Sequence, residues 1–222
     1  MAGRGKKVAQ QSAPNIRISA ARFDDKPRGA GFGSKTGGKT AFANAYSNGT
    51  VPCRLMTGNV RMTLTWSLPI EALDYNLVLP LCIEGLSEVS HPYIIAARIA
   101  CRELIEAEGS QEKILPILTI IAQKLRESLT GINKSSPEAF SAILDVLILL
   151  SQNVGENLTQ FYQQFLAPIG SVLMKTGGPV VSKGGKSVDV KAKCLEALQC
   201  LDENGGEGAY AIIHKKIPTY AR

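Results

Sequence analysis

Residues 110–155 read SQEKILPILTIIAQKLRESLTGINKSSPEAFSAILDVLILLSQNVG, and this stretch decides the fold class. Ile114, Leu118, Ile121, Leu125 and Leu129 recur every three or four residues, the spacing that gathers apolar side chains on one face of a helix. Gly131 predicts its end, because glycine takes the left-handed C-cap conformation without a Cβ clash. Ser136-Pro137-Glu138 then supplies an N-cap, a proline in the first turn and an acid beside the positive helix end. The helix it opens is predicted to reach about Asn153, with Leu144, Leu147 and Ile148 in the core. Two amphipathic helices joined by a short polar loop are antiparallel neighbours.

The same grammar extends in both directions. Upstream, Leu73, Leu77, Leu81 and Ile83 predict a helix over about 71–88. His91-Pro92 opens the next, in which Arg98, Arg102 and Glu106 share a solvated face, Ile95 and Ile99 form the buried one, and Gly109 ends it. Downstream, Phe161, Phe165, Ile169 and Leu173 mark a further helix after Gly155. A glycine-rich loop over 176–186 precedes a helix at about 189–204, and a short final one is expected over 206–214. Leu79-Pro80-Leu81, Leu115-Pro116-Ile117 and Ala167-Pro168-Ile169 place prolines in apolar helical settings, where each removes a hydrogen bond and bends the axis. Such bent, stacked pairs predict an all-α, armadillo- or HEAT-like helical solenoid rather than a closed bundle.

Charge divides the chain differently. Residues 1–65 hold eleven Lys/Arg and two Asp/Glu, a net of +9, whereas residues 66–222 hold fourteen and seventeen, a net of −3. The first third is rich in Gly, Ser, Asn and Ala and short of Leu, Ile and Val, so it buries too little apolar surface to offset the entropy of ordering. It is expected to be a basic extended arm over 1–65, with the folded domain over 66–222. Arg4, Lys6, Lys7, Arg17, Arg22, Arg28, Lys35 and Lys39 are its candidate contacts to a polyanion: nucleic acid, a membrane surface or an acidic protein surface. Their spread differs from the dense basic runs of nucleic-acid patches, and a solvated tail with no partner is the bland alternative.

Chemistry finds little material. Gly33-Ser34-Lys35-Thr36-Gly37-Gly38-Lys39-Thr40 matches the phosphate-loop pattern letter for letter. That loop works between an apolar strand and a helix, and neither flank supplies one. Cys53, Cys82, Cys101, Cys194 and Cys200 are odd in number and lack C-x-x-C spacing, which reads as free buried thiols in a reducing compartment. Only His91 and His214 are available to a metal or a nucleophile. Glu103, Glu106 and Glu108 read as a solvated helix end. Trp66, after Val60, Met62 and Leu64, reads as the anchor of a short strand on the helices. The longest apolar run, 139–150, is short for a membrane span and interrupted by Asp145. Met1-Ala2-Gly3-Arg4 shows neither a secretory pattern nor a myristoylation site. The expectation is a non-enzymatic protein without cofactor or metal.

Trp66-Ser67-Leu68-Pro69-Ile70-Glu71-Ala72-Leu73-Asp74-Tyr75, continued by Leu79-Pro80-Leu81 and Glu84-Gly85-Leu86, resembles the parkin co-regulated family. Pro92-Tyr93, Lys113-Ile114-Leu115-Pro116, Phe161-Tyr162, Leu166-Ala167-Pro168 and the ending Gly205-Gly206-Glu207 through Ile217-Pro218-Thr219-Tyr220 follow in order, and Phe42–Gly49 with Val51-Pro52 resembles the family's lead-in. The resemblance implies an armadillo- or HEAT-like scaffold of the axoneme of cilia and flagella. Such a scaffold sits at the inner junction of doublet microtubules, contacting α/β-tubulin of the A- and B-tubules and alternating with a small β-rich junction protein among other axonemal proteins. On that implication the basic arm lies against acidic tubulin; a helical scaffold that binds nucleic acid through the arm is the alternative. Cys82-Ile83 and Ile94-Ile95 stand where the family is expected to carry aromatic residues.

Overall fold

The computed structural model describes residues 40–58, 62–132, 136–174, 180–181 and 187–221. The chain divides into Met1–Ser34 and Lys35–Arg222, and every described residue belongs to the second unit.

Helix follows where apolar periodicity and caps coincide. Asp74 Oδ1 accepts from the Asn76 amide and opens α2, Tyr75–Gly85. The antiparallel return is α3, Tyr93–Glu106. Next come α4, Ser110–Ile114, a 3-10 turn over Leu115–Ile117, and α5, Leu118–Ile132. Ser136 Oγ accepts from the Ala139 amide as the N-cap of α6, Pro137–Val154. A 3-10 segment over Gly155–Phe161 leads to α7, Tyr162–Leu173. Asp189 caps α8, Val190–Asn204, by accepting from Lys191 and Ala192, and α9 covers Ala209–Lys216.

These helices pack in two rows. In one, α2 lies against α5, α5 against α7 and α7 against α9; in the other, α3 lies against α6 and α6 against α8. The pairs α2/α3, α5/α6 and α7/α8 join the rows, and the core lies between them. Ile114, Leu118, Ile121, Leu125 and Leu129 all face it, as do Leu144, Leu147 and Ile148. The span 137–173 is long and apolar enough by composition to cross a membrane, but 61% of its apolar window is buried inside the protein, as in a core helix.

Several expectations are corrected. The folded unit does not begin at residue 66. Ala41–Asn48 form α1, and Cys53–Thr57 (β1) pair antiparallel with Met62–Trp66 (β2), Cys53 opposite Trp66 and Leu55 opposite Leu64. Phe42, Val51 and Cys53 are core residues, because one aromatic ring and two small apolar groups bury enough surface to hold this segment. The all-α expectation therefore gains a hairpin, and a second, two-residue pairing joins Val180-Val181 (β3) to Ser187-Val188 (β4). On α3 the buried face is Ala96, Ala97, Ala100, Cys101, Leu104 and Ile105, with Ile95 and Ile99 only half-buried, because α2 approaches closely over small side chains. Gly131 lies inside the last turn of α5, whereas Gly155, with φ 55°, takes the C-cap of α6. Pro92 is the N-cap of α3 rather than its first residue, after a cis His91–Pro92 bond. Pro80 and Pro168 sit inside α2 and α7, whereas Pro116 splits the expected third helix into α4 and α5.

Candidate functional site at the root of the basic segment

Arg4, Lys6, Lys7, Arg17, Arg22, Arg28, Lys35 and Lys39 lie outside the described residues, as do residues 33–39 of the phosphate-loop match. The structure does define where that basic segment is fastened. Thr40, which follows Lys39, is the N-cap of α1, and its Oγ1 accepts from the Ala43 amide at 3.4 Å. Its own amide and hydroxyl both donate to Glu88 Oε1, each at 2.8 Å. The next amide, of Ala41, donates to Glu84 Oε1 at 3.0 Å. Two carboxylates around the C-terminal end of α2 thus hold three donors at the N-terminus of α1, Ala41–Asn48.

Glu88 is only 1% exposed. A buried carboxylate is costly unless its oxygens are hydrogen-bonded, and the Thr40 donors meet that need. Glu84 Oε2 takes the Lys124 ammonium at 3.3 Å, and Glu127 Oε2 takes it from the other side at 3.3 Å. Burial works against the charged Lys124, but its hydrogen bonds to Glu84 and Glu127 outweigh it and hold its pKa above the ordinary lysine value. The root is thereby tied through Glu84 to α5.

Packing fixes the same point. Phe42 is fully buried against Gly85, where an added Cβ would stand 2.5 Å from the Phe42 ring and 2.9 Å from Ala97 Cβ. The Tyr46 ring lies tilted against Phe42 at 5.8 Å and meets Tyr93 edge-on at 5.9 Å, while its hydroxyl accepts from the Leu55 amide at 2.8 Å. The hairpin is pinned to α3 by Trp66 Nε1, which donates to Glu103 Oε2 at 2.6 Å. Trp66 is the expected anchor, but Glu103 is its partner rather than part of a solvated end; Glu106 and Glu108 are exposed.

The arrangement positions chain: its hydrogen bonds among the described residues run from Thr40 and Ala41 to Glu84 and Glu88. Thr40, the final residue of the phosphate-loop match, spends its hydroxyl on Glu88 and α1. Cys53, Cys82, Cys101 and Cys194 are buried free thiols and Cys200 is half-buried. Burial, with Glu103 second, pushes the Cys53 thiol up to about 12, which disfavours the reactive thiolate. His214 stacks on Tyr210 at 5.4 Å, with Nδ1 3.2 Å from the Tyr220 carbonyl. Among the described residues no three His, Cys, Asp or Glu side chains gather as a metal site. Glu84, Glu88, Gly85 and Phe42 were given no role in the sequence because a clamp between residues more than forty apart leaves no local pattern; Glu84-Gly85 and Phe42 stood out only within family landmarks.

The family model described as Parkin co-regulated protein matches residues 40–222, so the match begins at Thr40, the first clamped residue. A curated mouse protein, the Parkin coregulated gene protein homolog, is 29% identical over 198 residues, covering 87% of this chain and 81% of the mouse protein. With the family match running from the clamp to the last residue, the chain belongs to the parkin co-regulated protein family.

Proposed function

We propose that the chain is a structural, non-catalytic microtubule-associated protein of the ciliary or flagellar axoneme, which binds α/β-tubulin and bridges the A- and B-tubules at the inner junction of doublet microtubules. In this reading the two helical rows are an armadillo- or HEAT-like solenoid, and the small β-rich junction protein is its neighbour along the doublet. The observation that carries the reading is the charge split within a member of this family. Residues 1–39 hold nine Lys/Arg and two Asp/Glu, a net of +7, and precede residues 40–222, which hold sixteen and seventeen, a net of −1; acidic tubulin attracts such a basic segment in a salt-dependent way. The Glu84/Glu88 clamp supports it mechanically, since a tethered segment transmits its attachment to the body only if its root is held.

Cosedimentation with microtubules tests this. Removing residues 1–39 leaves Thr40 and its clamp intact and is expected to abolish most binding, which should also weaken from low to physiological salt. Unchanged pelleting of the shortened chain sinks the role of the basic segment. Salt-sensitive shifts of arbitrary RNA or DNA without microtubule pelleting would replace the tubulin reading with the nucleic-acid alternative.

A further inference from the structure

A groove of about 500 Å³ runs between α5 and α7, far in sequence from the clamp, and Arg126, Thr130, Gln163, Gln164, Pro168 and Ser171 line most of it. Among the described residues no acidic side chain lines it. Arg126 makes none of the ion pairs found among the described residues. The adjacent acid, Glu127, is already held by Gln123 Nε2 at 3.0 Å and by Lys124, on the face that residues 123 and 127 share. Neither the Gln163 nor the Gln164 carboxamide is hydrogen-bonded among the described residues. Pro168 has no N–H, so the carbonyl of Gln164 lacks its helical donor.

These groups are complementary to one kind of partner. A carboxamide offers the same donor and acceptor as a peptide group and pairs with extended backbone. The Gln164 carbonyl adds an acceptor for a backbone N–H, and the Arg126 guanidinium is a fork for a carboxylate. An arginine outside every ion pair of the described residues, in a groove with no acid among its described lining, favours acidic over basic sequence. We propose that the α5/α7 groove docks an extended, glutamate-rich peptide, with Arg126 holding a carboxylate and Gln163 and Gln164 holding the peptide backbone. Equating that peptide with an acidic segment of tubulin rests on the tubulin reading; the groove's selectivity does not.

Fluorescence anisotropy of the full chain with a dye-labelled ten-residue peptide of alternating Glu and Gly tests the proposal. Arg126→Glu is expected to weaken binding at least about tenfold and the Gln163→Ala/Gln164→Ala double variant about threefold, the sizes of a charge-assisted bond and a neutral one. Arg126→Lys should fall between wild type and Arg126→Glu, because the charge remains and the fork is lost. Arg126 and Gln163 are exposed, so unchanged thermal unfolding serves as the folding control. If Arg126→Glu binds the peptide as tightly as wild type, capture belongs to the basic segment and the groove proposal is overturned. If the peptide behaves as expected while residues 1–39 prove irrelevant to microtubule pelleting, the groove stands and the tubulin role of the basic segment falls.

Discussion

The middle of the helical rows and the root of the basic segment are held by different physics. Helix α6 buries Ala139, Phe140, Ile143, Leu144, Val146, Leu147 and Leu150 around much of its circumference, and aliphatic contact of this kind is non-directional and shared among many neighbours. At the root, α1 contributes Phe42 and Ala43 to the core, and its position depends on directional bonds to Glu84 and Glu88 and on one missing Cβ at Gly85. Losses in the first region spread through the whole fold. In the second they are local and concern how α1 sits on α2.

Breaking the rows gives the largest effect. Phe165 on α7 is fully buried, so Phe165→Ala should cost about 3–5 kcal/mol and lower the midpoint of the single cooperative unfolding step in urea. A change that instead affected only the amides of α1 would dissolve the distinction between the regions. Gly85→Ala tests the root: a Cβ 2.5 Å from the Phe42 ring should cost about 1–3 kcal/mol. Hydrogen exchange should then accelerate in 41–48 more than in α6. Glu88→Ala sharpens the comparison further, since the two Thr40 bonds it removes are worth about 1–2 kcal/mol together. Limited proteolysis should cut before Phe42 faster while thermal unfolding of the rows scarcely moves.

Two thiol measurements complete the set. Native protein with a chromogenic thiol reagent should show one fast site, Cys200, and four that react only on unfolding; loss of the fast phase in Cys200→Ser checks the assignment. Burial raises the Cys53 and Cys194 thiols to about 12 from an ordinary 9.0 and raises Cys82 and Cys101 as well. Folding therefore keeps protons that the unfolded thiols release above pH 9. Stability from this source is complete below about pH 9 and is lost as pH rises toward 12. Melting temperatures from pH 8 to 11 should fall less steeply in Cys194→Ala than in wild type, once each is referred to its value at pH 8.

The helices were legible because their signals are local. The stripe from Ile114 to Leu129, the Ser136-Pro137-Glu138 start and the last helices were all read within a residue or a turn of where they lie. Misreadings arose where a neighbour decides. Ile95 and Ile99 looked like core because isoleucine is apolar, yet α2 packs over Ala96, Ala97 and Ala100. The segment 40–58 looked extended because its composition is thin, yet one phenylalanine set over a glycine fastens it. Of the candidate site, the charges on the arm were visible in composition, whereas its anchor was not.

The sequence by itself determined a helical body, its order of helices, the basic segment before it and membership of a family. The first three follow from spacing, caps and charge, which act over a few residues or along the whole chain; the family follows from the resemblance of its ordered landmarks. Only the tertiary structure decided that residues 40–58 belong to the fold, that Glu84 and Glu88 hold Ala41 and Thr40 there, and that Arg126, Gln163 and Gln164 line one groove. Each of these joins side chains about forty residues apart, and such pairs acquire meaning only once burial has brought their helices together.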